Sequence, residues 1–196
     1  MKDNFNVKIV DISGTYRQVA DRARTTIGME AGDKEVSEAY MRKMYLCEHS
    51  PIRIRTFIIR IENVPSWLAT HFARHHVGST PFISTQRDDR NKAVTDRDKE
   101  PQGNLVTMEL FINSQGLIDM AQKRLCYCAH PRAVRLMNEI KRKIKEVDRP
   151  LAAAMVPSCI YRGWCYEHKC CEHKYHLRPS FQEQLRIYRE GINNGK

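Results

Sequence analysis

The sequence predicts an α+β fold: one main domain over residues 1–156, followed by a Cys/His-rich tail over 157–196. Three observations carry the prediction. Strand-like runs rich in β-branched residues alternate with segments of helical periodicity. The 196 residues are 41% hydrophobic and 29% charged, the balance of a globular chain long enough to bury a core. No glycine-rich phosphate loop of either common type, no internal repeat and no low-complexity tract interrupts the alternation.

The elements follow in order. Val7 to Ile12 reads as a first strand. A helix follows through Val19, Ala20 and Ala23, with Gly28 as its stop. "EVSEAYMRKMYLCEH" is a second amphipathic helix through Tyr40, Met44 and Cys47. Ile54 to Glu62 is β-branched and reads as a strand. Pro65 opens the helix "SWLATHFARHH", because a missing N–H costs least in a first turn. Residues 88–104 are polar and end in Pro and Gly, the composition of a surface loop. "LVTMELFI" is the next strand. A helix runs from Ser114 to Ala129, and Pro131 opens another. A short segment through Ala152 to Val156 leads into the tail.

Charge narrows the partners. The net charge is +10. Such a field attracts nucleic acid, acidic membrane surfaces or phosphorylated small molecules. The cations are scattered and no polybasic arm is present, which weakens the nucleic-acid reading but leaves it open. No apolar run is long enough to span a bilayer, and the N-terminus lacks a signal-peptide core, so no membrane partner and a cytoplasmic location are expected. Seven cysteines in such a chain point to thiols, metal ligands or redox centres rather than structural disulfides.

Three clusters bear chemistry. His71 and His75 share a helix face, yet Phe72 stands where a zinc peptidase needs Glu. By spacing alone, Arg74, His75 and His76 are a polar helix end, where cations suit the helix dipole. Asn113 and Arg124 lie almost three helical turns apart, with Leu117 and Met120 between them on nearly one face. A charge on an apolar stripe needs a partner: a ligand anion, or an internal carboxylate such as Asp119 or Glu139, internal pairing being the commoner outcome. The third cluster is "CIYRGWCYEHKCCEHKYH". Cys159, Cys165, Cys170 and Cys171, with His168, His173 and His176 nearby, could hold tetrahedral zinc. The spacing is not that of paired C-x2-C knuckles, so free thiols and a redox-labile pair stay open. No Ser/His/Asp or Cys/His nucleophile arrangement is convincing. Ser79 and Ser84 lack the motif context.

"EHSPIRIRTFIIRIENVPSWLATHFARHH" resembles the flavin-dependent thymidylate synthases. Their pattern has a His near Ser-Pro, an extended strand ending in Ile-Glu, a helix, Arg-His-Arg, then a Ser and a final Arg. "RARTTIG" resembles the family's N-terminal helix end, and "LFINSQGLIDMAQKRLCYCAHPRAV" its second block. The resemblance covers residues 7–155 in three ordered blocks. It is closest to short members with a Cys-rich tail.

The resemblance implies a central mixed or antiparallel sheet packed with helices, in a homotetramer with sites between subunits. It implies reductive methylation of dUMP at C5, with methylenetetrahydrofolate as carbon donor, NADPH as reductant and FAD as hydride carrier. It implies no protein nucleophile. Ser50, Arg74, His75, His76, Asn113 and Asp119 would face FAD. His71, Arg74, Ser84, Gln86, Arg87 and Arg124 would face the nucleotide, Arg124 stabilising charge that develops on the pyrimidine.

The chain departs from the family in several places. His76 replaces an Arg. Pro81 and Phe82 stand at the usual Asn-Glu. The final Arg is one place late, at Arg87. Asp119 stands where an Asn is frequent. A helical segment carrying a phosphate-binding Arg is missing, which leaves that task to Arg87 or Arg90. Two alternatives follow: flavin-dependent modification of another pyrimidine nucleotide or of a nucleic-acid base, and a non-catalytic, basic, zinc-stabilised binding module on the same fold.

Overall fold

The computed structural model describes residues 3–92, 94 and 96–193. Four strands form one antiparallel sheet: β1 (Asn6–Ser13), β2 (Thr56–Pro65), β3 (Ser79–Ile83) and β4 (Leu105–Asn113), in the order β1-β2-β4-β3. Eight helices pack with it among the described residues: α1 (Tyr16–Thr25), α2 (Glu38–Leu46), α3 (Ser66–Ala73), α4 (Ser114–Arg124), α5 (Pro131–Val147), α6 (Arg149–Ala154), α7 (Ser158–Arg162) and α8 (Pro179–Asn193). The expected α+β class is observed, and the sheet is antiparallel rather than mixed.

Period-2 alternation sets the sheet's two faces. Phe57, Ile59 and Ile61 of β2 point inward, with Met108, Leu110 and Ile112 of β4 opposite them; all six are fully buried. Burying one such side chain contributes about 1.5–3 kcal/mol. The other face carries Arg60, Glu109, Phe111 and Phe82, and is only partly covered. Phe111 is 46% exposed there and Phe82 60%.

The helices start where capping residues allow. Thr15 and Gln18 form a reciprocal capping box on α1. The Asn113 side chain accepts from the Gly116 N–H and starts α4. α4 ends at Arg124, five residues short of the expected Ala129.

Two elements were not anticipated. β3 carries Pro81 after Ser79 and Thr80, so the run gives no clear strand signal. As an edge strand it tolerates the missing donor. α8 carries Phe181, Leu185 and Tyr188 at helical spacing, and all three join the common core cluster. Of the loop predicted over 88–104, Ala93 and Thr95 lie outside the described residues. The rest includes a 3-10 turn at Arg97–Lys99, and the carbonyls of Gln102 and Asn104 accept from the first N–H groups of α3. No described helix is long and apolar enough to cross a membrane.

One buried polar hub was also missed. Asp148 is 1% exposed, and its carboxylate accepts from Tyr16 Oη at 2.8 Å, Tyr45 Oη at 2.9 Å, Arg55 Nε at 2.6 Å and the Leu151 N–H at 3.0 Å. Arg55 also donates to the Gly14 carbonyl. Gly14 has φ +80°, and a Cβ there would meet the Ile54 carbonyl oxygen at 2.5 Å, so only glycine fits this approach.

Candidate functional site

The site starts where α3 stops. The helix ends at Ala73, so Arg74, His75 and His76 lie beyond it rather than on its face. The His75 N–H closes a tight last turn on the Phe72 carbonyl. Gly78 then reverses the chain into β3 with φ +69°. A Cβ there would sit 2.7 Å from Asn113 Oδ1, so the close approach of this turn to the start of α4 requires glycine.

Arg124, the last residue of α4, reaches the same place. Its Nε–H donates to His75 Nε2 at 2.9 Å, and Nη2–H donates to the His71 carbonyl at 2.8 Å. The guanidinium lies 6.0 Å from the centre of the Phe72 ring. Thus Arg124 does not pair with Asp119 or Glu139. Asp119 accepts from Gln115, and Glu139 accepts from Arg142. Helix geometry explains the correction. Asn113 and Arg124 lie at opposite ends of α4, about 16 Å apart along its axis, and Arg124 meets an orphan carbonyl in the last turn of α3. No carboxylate forms an ion pair with Arg124 or Arg74 among the described residues.

Electrostatics assigns the His75 proton. Burial, then the Arg124 charge, lowers its pKa from 6.5 to about 4. At neutral pH the ring is uncharged, and Nε2, which accepts from Arg124, carries no proton. His71 is also pushed down, first by burial and then by Arg124, Arg74 and His130. Burial lowers Arg124 itself, with Arg74 adding to the effect.

A stability slope follows. The folded pKa of His75 lies below its ordinary value, so the unfolded state binds more protons between about pH 4 and 6.5. Stability should therefore fall as pH drops through that window. NMR titration of the His75 ring should give a midpoint near 4, and His75→Asn should flatten the stability slope. A midpoint at or above 6.5 would remove the Arg124 hydrogen bond from consideration.

The other expected residues divide into groups. Asn113 commits its Oδ1 to capping α4, and its Nδ2 has no hydrogen bond among the described residues. Asp119 belongs to a polar group with Gln115 and Glu48. Its pKa is raised by burial, with Glu48 contributing. Ser50 is exposed on the 3-10 turn Ser50–Ile54. His76 is exposed, with Nδ1 3.1 Å from the Arg74 carbonyl.

Ser84, Gln86 and Arg87 lie apart from these. Ser84 continues the β3 ladder through Thr107, and Gln86 Oε1 accepts from the Ser66 hydroxyl. Gln86 is thereby held at the start of α3, about 10 Å along the helix from its last residue, Ala73. Arg87 forms a two-pronged pair with Asp89, at 2.9 and 2.5 Å. One chain therefore joins His71, His75 and Arg124 but does not bring Ser84, Gln86 and Arg87 to them.

Sequence reasoning missed Trp67 and His130. Trp67 meets His71 edge-on at 5.5 Å and His130 at 4.7 Å, and the Arg132 guanidinium lies 5.7 Å from its ring. A Trp two residues after Pro65 and a His before Pro131 look like ordinary helix starts; only the fold brings them together. The four-cysteine metal set is gathered only in part. Cys165 and Cys170 come together with His176, while Cys159 and Cys171 line the cavity beside them.

No protein-family model matches the sequence, and no curated protein matches it. Solved structures do. A UMP/dUMP methylase, PolB, from Streptomyces cacaoi, solved with 5-Br dUMP, aligns over 78% of this chain and 95% of its own, with a TM-score of 0.61 and 14% identity. The flavin-dependent thymidylate synthase ThyX from Helicobacter pylori, solved with FAD and dUMP, aligns over 77% of this chain and 99% of its own, with a TM-score of 0.63 and 11% identity. The antiparallel sheet, its helices and these alignments agree: the chain has the fold of the flavin-dependent thymidylate synthases.

Proposed function

We propose that the protein is a flavin-dependent methylase of a pyrimidine nucleotide, adding one carbon at C5 of dUMP with methylenetetrahydrofolate as carbon donor and NADPH as reductant. The observation that carries this reading is Arg124. It is half-buried, unpaired with any carboxylate among the described residues, and aimed by a neutral His75 on a fold shared with nucleotide methylases.

The donor set suits FAD and a nucleotide, which are both anions. Arg74 is exposed and has no carboxylate partner among the described residues, and a guanidinium fork suits phosphate. Bound FAD would supply the hydride. The chain's own residues would bind and orient. Arg74 would hold phosphate, and the free Nδ2 of Asn113 would donate to the flavin. Arg124 would place its unused Nη1 donors where negative charge develops on the pyrimidine. His75 would fix the guanidinium plane without adding a charge.

The reading includes a homotetramer. Two observations support it: Gln86 is held at the start of α3 while His71, His75 and Arg124 gather at its end, and the outer sheet face leaves Phe82 and Phe111 exposed. A second copy could complete the site and cover that face. Light scattering should give four times the chain mass.

UMP stands beside dUMP as a substrate, because a fold neighbour is a UMP/dUMP methylase. The test is one preparation with two readouts. The purified protein should be yellow or take up added FAD. With NADPH and methylenetetrahydrofolate it should release tritium from C5-labelled dUMP or UMP. A colourless protein that cannot be reconstituted with FAD would overturn the reading.

A further inference from the structure

Six of the seven cysteines meet at one place, around the turn that follows α4. The seventh, Cys47, is exposed at the end of α2, and no disulfide joins any of them. The turn after α4 carries Cys126 and Cys128, and the Cys128 thiol lies 3.6 Å from the Lys169 carbonyl. Gly163 ends α7, and the chain then loops back through Cys165, Cys170 and Cys171 to His176.

The ligand atoms of Cys165, Cys170 and His176 all lie within 4.8 Å of one another. Cys170 Sγ and His176 Nδ1 are 3.3 Å apart. A tetrahedral zinc ion with ordinary Zn–S and Zn–N bonds needs ligand atoms about 3.5 Å apart. The trio is therefore close to ligating geometry without rearranging the backbone. Trp164 packs edge-on against the His176 ring at 4.7 Å, which limits its rotation. Beside the trio is a cavity of about 20 Å³ lined by Cys126, Cys128, Cys159, Cys165, Cys171 and His176. That is room for about one small sphere.

A second observation points the same way. No side chain from Tyr161 to Lys174 is buried, so this run has no apolar core of its own. It still returns to the end of α4 and seats Tyr175 and Phe181 edge-to-face. A small, coreless loop dense in soft ligands is the usual setting for a structural metal, whose binding free energy replaces the missing core.

We propose that the protein holds one structural zinc ion through Cys165, Cys170 and His176, with Cys171 as the fourth ligand. Cys171 follows Cys170 directly and faces the same cavity. Four protein ligands leave no open position, so the ion is not a catalytic centre. It closes the loop from Cys165 to His176 on itself, and the Cys128 contact with the Lys169 carbonyl sets that loop against the turn that follows Arg124.

The full chain, purified after growth with zinc and without chelator, should carry about one zinc per chain through gel filtration. Replacing zinc with Co2+ should give the absorption of a tetrahedral thiolate site, a readout independent of flavin. Cys165→Ser, Cys170→Ser and His176→Ala should each lose the metal and lower the melting temperature, and Cys171→Ser should weaken its retention. Cys47→Ser should keep it. Prolonged chelation of the wild type should reproduce the drop in melting temperature, and added zinc should restore it. Should the variants fail to fold, the metal content and Co2+ spectrum of the wild type still decide. Absence of zinc after supplementation, unchanged zinc in Cys165→Ser, Cys170→Ser and His176→Ala, iron with inorganic sulfide, or a Cys165–Cys170 disulfide would each overturn the proposal.

Discussion

Arg124→Ala should lower turnover by about 10²–10³-fold, the loss typical of removing one preorganised donor from developing negative charge. The argument rests on how the guanidinium is held. Nε–H and Nη2–H are committed to His75 Nε2 and the His71 carbonyl, and Nη1 has no partner among the described residues. Two bonds therefore fix the plane and direction of the third nitrogen. A bland alternative exists, in which Arg124 merely satisfies the last turn of α3. Losing such a cap would cost on the order of 1 kcal/mol of stability and spare turnover of the folded enzyme. Arg124→Lys separates the two roles. Lysine keeps the charge but cannot offer three nitrogens in one plane. The lysine variant should bind FAD and melt near wild type, yet recover little of the tritium release. Full turnover in Arg124→Ala at a temperature where it stays folded would sink the assignment.

Local signals made most of the fold readable. Phe57, Ile59 and Ile61 alternate inward because β2 has period two, and Ala133, Leu136, Met137, Ile140 and Ile144 mark α5 by their spacing. β3 escaped because an edge strand needs no apolar alternation and can hold Pro81. α8 escaped because its apolar positions Phe181, Leu185 and Tyr188 are few among charged residues and its first turn carries no acidic start signal. The site was legible as residue types but not as geometry. His71, His75 and Arg124 stand out in the sequence, yet the separation of 49 positions between His75 and Arg124 hides their bond. Spacing offered Asp119 on the same helix as a partner. The real one lies on another element, at a helix end whose position depends on where α3 stops. Likewise, the thiol cluster could be seen as a set, but which ligands converge depends on how the tail folds back.

Asp148→Ala should destabilise the fold by about 3–5 kcal/mol, the cost of leaving a buried cation without its counter-charge. Arg55 is 8% exposed and, among the described residues, has only the Gly14 carbonyl as its other hydrogen-bond acceptor. The same carboxylate receives the Tyr16 and Tyr45 hydroxyls. Burial, with the nearby Asp148 charge second, raises both phenol pKa values, so both hydroxyls remain donors at working pH. Removing the acceptor strands three donor groups and the Leu151 N–H that starts α6. The damage reaches the site through the backbone, since the Arg55 carbonyl accepts from both the Ser114 N–H and its hydroxyl at the start of α4. Chemical denaturation followed by circular dichroism measures the loss. A cycle with Arg55→Met tests its cause. If the uncompensated charge dominates, adding Arg55→Met to Asp148→Ala should recover part of the lost stability, because no buried cation then remains. If the two changes simply add, the hub owes its contribution to the tyrosine hydroxyls and the α6 cap instead. Near-wild-type stability in Asp148→Ala would mean that water reaches Arg55 in solution, contrary to its burial here.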